Sequence, residues 1–442
     1  MPLTHYLPLA AAQAVLAGPR TPGEIEARLE RALDADPAWC AALARRCATW
    51  LATLPRLPSI DGLAEWIARD AAVRDAMAER HPPRVVGHFV TEIERQEPAP
   101  TRLAAVRLPR WPNVGRLADA LGVPPPGLWR LTLPTHWQRQ APLGDQHYTY
   151  RLLPKRTGGW RLLEVPQPWL RALQRRVLDD LLSRIPPHEA ACAFITDRTV
   201  VDHARTHVGQ PVLLKFDLQD FFATVRASRV HATLRTLGLP STVARSLTAL
   251  CTTATPEPVL ERLRHEGGLS WTQSQHLRDA HLPQGAPSSP ALANLCAFRF
   301  DLRVAAFARE LGARYTRYAD DLVLSGGADL RANRLRIEAR LGATAREEGF
   351  ALNHRKTRCA PQSRRQEVCG IVVNARPNLP RAEFDRFKAI LHGCVRDGPA
   401  VHNRTGVADW REHLRGRIAW AAQLNPAKSE RLRRLYEQIA WD

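Results

Sequence analysis

The chain has 442 residues, 45% of them hydrophobic, and a formal net charge of +19. That length and apolar content exclude a disordered chain and a single small core, and predict two or three domains. The cationic surplus suits a polyanion such as nucleic acid through phosphate neutralisation, and equally suits a solvated arginine-rich surface.

Lysine occurs only at Lys155, Lys215, Lys356, Lys388 and Lys428, against arginine nearly everywhere else. A lysine can donate a proton near neutral pH and an arginine cannot, so each lysine asks for a reason. Eight cysteines are scattered through apolar contexts with no CxxC spacing, which supports neither a zinc site nor a disulfide framework. The opening MPLTHYLPLAAAQAVLAG has no basic n-region, and no segment reaches about 18 uninterrupted apolar residues. A cytoplasmic protein without membrane contact is expected.

From Thr21, TPGEIEARLERAL predicts a helix with Thr21 as N-cap, Pro22 at its first position and Glu24 closing a capping box. Residues 1–100 read as a helical N-terminal extension, and 101–140 as a Pro-rich linker with short helices such as GRLADALG. From 141 to 374 the pattern changes. YTYRLLPKRTGGWRLLEVP predicts a β-hairpin about Gly158-Gly159, with Lys155, Arg156 and Arg161 near its turn. An amphipathic helix follows over Pro168 to Ile185, and then QPVLLKFDLQDFF predicts an apolar strand that delivers Asp217 at its end. Helices are expected to about Thr253, then a charged loop insertion. HLPQGAPSSPALANL opens a helix near Pro290, YTRYADDLVLSGG reads as strand, tight turn, strand, and QEVCGIVVN as a strand. Residues 375–442 form a basic helical tail. The alternation predicts an α+β fold with a sheet in the middle of the chain.

Two aspartate doublets make a useful contrast. Asp179-Asp180, in RRVLDDLLSRI, sits at helical spacing and reads as a solvated face. Asp320-Asp321, in RYADDLVLSG, is flanked by Tyr315 and Tyr318 before and Leu322, Val323 and Leu324 after. Acids in such a hairpin are costly unless a cation neutralises them. If the two apolar strands lie side by side, Asp217 meets Asp320 at one sheet edge. Three carboxylates without His or Cys favour a hard ion such as Mg²⁺. Two such ions about 3.5–4 Å apart suit phosphoryl transfer.

With PKxxGxxR, FDLQDFF, LPQGAPSSPALANL, YADD, GFALNHRKT and VCGIVVN in this order, the chain resembles the reverse transcriptases, and within them the bacterial retron-type enzymes, over roughly Tyr148 to Asn374. The resemblance implies an RNA-directed DNA polymerase of right-hand architecture: fingers and a palm with an antiparallel sheet in 141–374, and a helical thumb in 375–442. It implies Asp217, Asp320 and Asp321 as ligands of two Mg²⁺ ions, with Mn²⁺ as a substitute. Lys356 falls at the lysine proposed as general acid for pyrophosphate, or serves as a plain phosphate contact. Phe222 falls at the steric gate that favours deoxynucleotides, or packs in the core beside Phe221. Lys155 and Arg161 match residues that grip the incoming deoxynucleoside triphosphate, or are a solvated hairpin. Gln284 and Gly285 match the lining of the nascent base pair.

Implied partners are an RNA template, its RNA–DNA duplex, a cognate non-coding RNA and an effector protein, in anti-phage defence. Trp420, Tyr436 and Trp441 among the tail's arginines suit either a duplex groove or a bundle with its aromatics turned inward. Two departures bear on the subtype: HARTH, His203 to His207, stands where retron enzymes carry NAxxH, and VCG, Val368 to Gly370, where they carry VTG. Rival readings are a non-catalytic RNA-binding scaffold on a polymerase fold and a template-independent nucleotidyl transferase. The intact acids disfavour the first and LPQG disfavours the second. No HNH or zinc-type tail points to an intron maturase.

Overall fold

The computed structural model describes residues 6–79, 81–86, 96–124, 127–128, 131–132, 146–154, 160–267 and 269–441. By its internal contacts the chain divides into two units, Met1–Ile185 with Arg226–Ser289, and Pro186–Val225 with Pro290–Asp442.

In the first unit, helices Tyr6–Leu16, Pro22–Ala32, Pro37–Ala52 and Ile60–Arg69 share a core that includes Leu7, Val15, Ile25, Leu29, Leu43 and Ile67. Strands β1 (Leu33–Asp34) and β2 (Arg84–Val85) pair antiparallel. Thr21 is an N-cap with Pro22 behind it, but the expected capping box does not form. Its hydroxyl donates to the Glu24 carboxylate at 2.8 Å instead of accepting a backbone N–H. Caps of the expected kind stand at Asp36 and Ser59, which accept from the amides of Ala38 and Gly62.

Strands β3 (Tyr148–Pro154) and β4 (Trp160–Pro166) form the expected antiparallel hairpin, with Leu153 opposite Arg161. Its tip, with Lys155, Arg156, Gly158 and Gly159, lies outside the described residues. The next helix spans Pro168–Asp180, burying Leu170, Leu173 and Val177 and leaving Asp179 exposed. The stretch expected as a charged loop holds two helices, Glu257–Gly267 and Trp271–Arg278. Buried Leu260 and Leu263, three apart, give the first its inward face, and Ser270 with Gln273 makes a reciprocal capping box on the second. The charge that suggested a loop is used between the helices, where Glu257 pairs with both Arg264 and Arg278.

The second unit is built on a four-stranded antiparallel sheet of β5 (Val212–Asp217), β6 (Arg314–Tyr318), β7 (Asp321–Gly326) and β8 (Arg358–Pro361), in the order β6-β7-β5-β8. QEVCGIVVN is a tight hairpin rather than one strand: β9 (Glu367–Val368) pairs with β10 (Ile371–Val372). Cys369 and Gly370 between them have φ values of 45° and 83°, the positive pair that a two-residue hairpin turn requires. Helices Arg381–Asp397, Trp410–Leu424 and Pro426–Tyr436 bury Phe387, Leu391, Leu414 and Leu432 in one core with Leu213 and Val323 of the sheet. Trp420, Tyr436 and Trp441 pack partly buried against that core. Among the described residues no helix is long and apolar enough to cross a membrane.

Candidate active site

Antiparallel pairing brings the acids together. Asp217, the last residue of β5, lies directly opposite Asp321, the first of β7. One step further the Leu218 amide donates to the Asp320 carbonyl at 2.9 Å, so the ladder continues past the strand end. The β6–β7 turn places Ala319 at φ 56°, a left-handed conformation, immediately before Asp320, whose buried carboxyl feels the charges of Asp217 and Asp321. The edge at which Asp217 and Asp320 were expected to meet is therefore present.

Crowding raises the acids' proton affinity. Burial, then the charges of Asp217 and Asp321, push Asp320 up to about 6. Burial raises Asp217 as well, against the pull of Lys356, whose Nζ donates to Asp217 Oδ2 at 2.7 Å. Burial tends to lower Lys356, but the hydrogen bond and charge of Asp217 outweigh it and its net shift is upward. The 3₁₀ turn His354–Lys356 carrying this lysine is tied to the strand end by the Asn353 amide, which donates to the Asp217 carbonyl at 2.8 Å. Cys369, the residue that departs from VTG, also reaches this cluster. Its thiol donates to Asp321 Oδ2 at 3.8 Å, and burial pushes it up to about 12.

Among the described residues no three Asp, Glu, His or Cys side chains are gathered into a cation cage. The chemistry of the donors nevertheless fits a hard divalent ion: all-oxygen, anionic, and mutually repelling without one. Asp217 would exchange the Lys356 ammonium for such an ion.

Three residues behind the acids were not singled out by sequence. Arg317, fully buried, donates to Asp301 Oδ1 and Oδ2 at 2.8 and 2.6 Å, to Asn294 Oδ1 at 3.0 Å and to the Ala319 carbonyl at 3.1 Å. The last bond grips the turn that carries Asp320. Arg317 opens the RYADD stretch and Asn294 lies in ALANL, but nothing in either motif reveals that Asp301, on another helix, completes the pair. The two histidines of HARTH belong to the same support. His203 Nδ1 and His207 Nε2 both bond Thr316 Oγ1 of β6, at 2.7 and 2.6 Å, and His207 Nδ1 bonds Ser325 Oγ of β7 at 2.7 Å. Burial drives both pKa values down, to about 4 and about 3.

Phe221 and Phe222 divide their roles. Phe221 is buried against Phe350 and lies under the Arg317 guanidinium, whereas Phe222 is half-buried on the helix Phe221–Thr224 that follows β5.

The remaining expected residues belong to the first unit. Arg161 is exposed on β4. Gln284 accepts the Glu164 amide at 2.9 Å through its carbonyl. Gly285 takes φ 141°, and a Cβ there would lie 2.8 Å from the Glu164 carbonyl oxygen, so the close approach demanding glycine is to β4. Behind this contact the buried Glu164 carboxylate accepts from Thr255 Oγ1 at 2.8 Å and sits 2.9 Å from His281 Nε2. Burial would lower His281, but the Glu164 charge and hydrogen bond prevail and raise it.

Acids paired across the end of an antiparallel sheet, with a lysine on one of them, are an arrangement chemically suited to nucleotidyl transfer. Residues 153–373 match the family described as reverse transcriptase (RNA-dependent DNA polymerase). The chain is 38% identical over 344 residues to the retron Mx65 reverse transcriptase of Myxococcus xanthus, spanning 76% of this chain and 74% of that one. It is 35% identical to the retron Mx162 reverse transcriptase of the same organism (64% and 59%), and 28% identical to the retron Ec86 reverse transcriptase of Escherichia coli (62% and 74%). A solved telomerase from Candida albicans, in complex with a telomeric RNA fragment, superposes at TM-score 0.35 and 12% identity over 59% of this chain and 52% of that one. The chain belongs to the reverse transcriptases, and among them to the bacterial retron type: it is an RNA-directed DNA polymerase.

Proposed function

We propose that this polymerase copies a cognate non-coding RNA into DNA with Mg²⁺ held by Asp217, Asp320 and Asp321, as part of anti-phage defence in the cytoplasm with an effector protein as partner. The observation that carries the reading is the pairing of Asp217 with Asp321 beside the Asp320 turn. Bound there, two divalent ions supply activation of a 3′-hydroxyl and charge stabilisation on the departing pyrophosphate. Lys356 is a protonated ammonium on Asp217; displaced from that carboxylate by an ion, it would face the leaving group, still charged, as general acid. Phe222, half-buried rather than sunk in the core, is free to crowd a ribose 2′-hydroxyl as a steric gate. Lys155 and Arg161 grip the triphosphate as charged hydrogen-bond donors. Gln284 and Gly285, pinned to β4 through Glu164, line the nascent base pair.

In this reading residues 141–374 are fingers and palm, 375–442 the thumb, 1–100 a helical extension and 101–140 its linker. The test is expression with native flanking DNA, followed by sequencing of all bound nucleic acid beside an Asp320→Asn variant. Short DNA copied from one RNA, present with wild type and absent with the variant, is expected. The same RNA in both samples with no DNA in either would turn the reading toward a scaffold.

A further inference from the structure

Phe194 belongs neither to the core of the second unit nor to its acid cluster. It is 49% exposed, and its backbone takes φ 61°, a conformation that residues with bulky side chains avoid. Asp197, three residues on, does the same at φ 64°. Two such residues persist in one short segment only when the surroundings over-determine it.

They do so here. The Arg317 amide donates to the Ala190 carbonyl at 2.7 Å and the Cys192 amide to the Arg317 carbonyl at 2.8 Å, so this segment runs alongside β6. The Ala193 carbonyl accepts from Asn294 Nδ2 at 2.8 Å. Arg198 Nη1 donates to the carbonyls of Glu189 and Ala191, at 2.6 and 3.1 Å. A ring held half in water by a strained and multiply pinned backbone contributes little to folding.

The same bonds locate it. Asn294, which fixes the residue before Phe194, accepts from Arg317, which also fixes Ala319, the residue before Asp320. On its other side the Phe194 ring stands 6.2 Å from that of Phe222, tilted by 51°. Phe222 itself follows Asp217 by one turn of chain. Two half-covered rings, not stacked on each other, offer a π surface to a flat ligand beside the acids.

We propose that Phe194 is a base-stacking platform of the polymerisation site, seating a nucleobase together with Phe222; this rests on reading Asp217 and Asp320 as the catalytic acids. Stacking on an aromatic face tolerates any base, which a polymerase copying varied sequence requires. The π-face in question belongs to the incoming deoxynucleotide or to the templating base, and the kinetics separate the two.

The experiment compares wild type with Phe194→Gly, Phe194→Tyr and Phe194→Leu in primer extension on a defined RNA template. Glycine accepts a positive φ, so Phe194→Gly should melt at or above the wild-type temperature. Its KM for deoxynucleotide should nonetheless rise about tenfold, the loss of one base–aromatic stack, with Tyr restoring and Leu not restoring the wild-type value. If the templating base is the partner, the KM for primer–template rises instead, and the difference vanishes at an abasic templating position. Wild-type kinetics for Phe194→Gly in both arms, or Leu serving as well as Tyr, would overturn the proposal. DNA synthesis surviving in Asp320→Asn would instead remove the reading of the acids on which it rests.

Discussion

Arg317→Met deletes one half of a fully buried ion pair while keeping an apolar stem of similar length. Asp301, also fully buried, is left with the Tyr315 hydroxyl as its remaining side-chain partner from that network, at 2.8 Å. Removing one member of such a pair costs about 3–5 kcal/mol, because the other charge stays buried without compensation. In a unit of this size each kcal/mol lowers Tm by about 2–4 °C, so calorimetry should show a fall of roughly 6–20 °C. The double variant Arg317→Met with Asp301→Leu removes both charges, and apolar replacement of a buried pair is close to neutral. Most of the lost Tm should return. Activity should not, since the Ala319 carbonyl still lacks the donor that holds its φ 56° turn in front of Asp320. The assays are scanning calorimetry and kcat for primer extension on wild type, single and double variants. A double variant with both wild-type Tm and wild-type kcat would refute the link between the pair and the acid turn, and a single variant melting like wild type would refute the buried-charge arithmetic.

Acid should weaken the second unit through His203 and His207. Both are held neutral with pKa values of about 4 and about 3 against an ordinary 6.5, so below pH 6.5 the unfolded chain binds protons that the folded chain refuses. Their stabilising contribution is complete above pH 6.5 and declines as pH falls toward the folded values; at pH 5 the loss is about 2 kcal/mol per histidine, about 4 for both. Asp320, raised to about 6, binds its proton more readily in the folded chain and returns about 1 kcal/mol over the same range. The test is therefore a comparison: between urea unfolding at pH 7 and at pH 5, His203→Asn should lose about 2 kcal/mol less than wild type, and an equal loss would exonerate His203. Gly285→Ala should disturb the contact with β4, because its Cβ would press on the Glu164 carbonyl at 2.8 Å in a conformation alanine resists. Primer extension should lose processive synthesis on RNA while the melting of the second unit stays put; full activity in this variant would mean that the LPQG backbone has room to shift.

What the sequence revealed followed from short apolar runs and where their acids fell. The runs in VLLKFD and DLVLSG, buried nearly throughout, made two strands evident, and the acids at their ends had to share an edge once the strands paired. Charge misled in 257–278, where acidic and basic residues looked solvated although they bridge two helices, and buried Leu260 and Leu263 were too few to announce an inward face. The Thr21 box failed because two polar side chains three residues apart can bond each other as readily as the backbone. Arg317 with Asp301 and Glu164 with His281 were out of reach for another reason: their partners are 16 and 117 residues distant, and no local pattern marks a buried charge as paired. Contiguous blocks are also all that sequence order can offer, whereas residues 226–289 cluster with the first 185.

The ladder between β5 and β7 pairs Val212 with Gly326 through to Asp217 with Asp321. Side chains alternate along a strand, so sliding β5 by one residue would turn Asp217 to the opposite face and present Phe216 or Leu218 in its place. The same slip would lift Leu213 out of its core and drive Lys215 and Asp217 together into the packed face of a strand that is buried nearly throughout. Burial along β5 thus sets the position of a carboxylate at its end, and the packing that folds the sheet is also what proofreads the alignment of the acids.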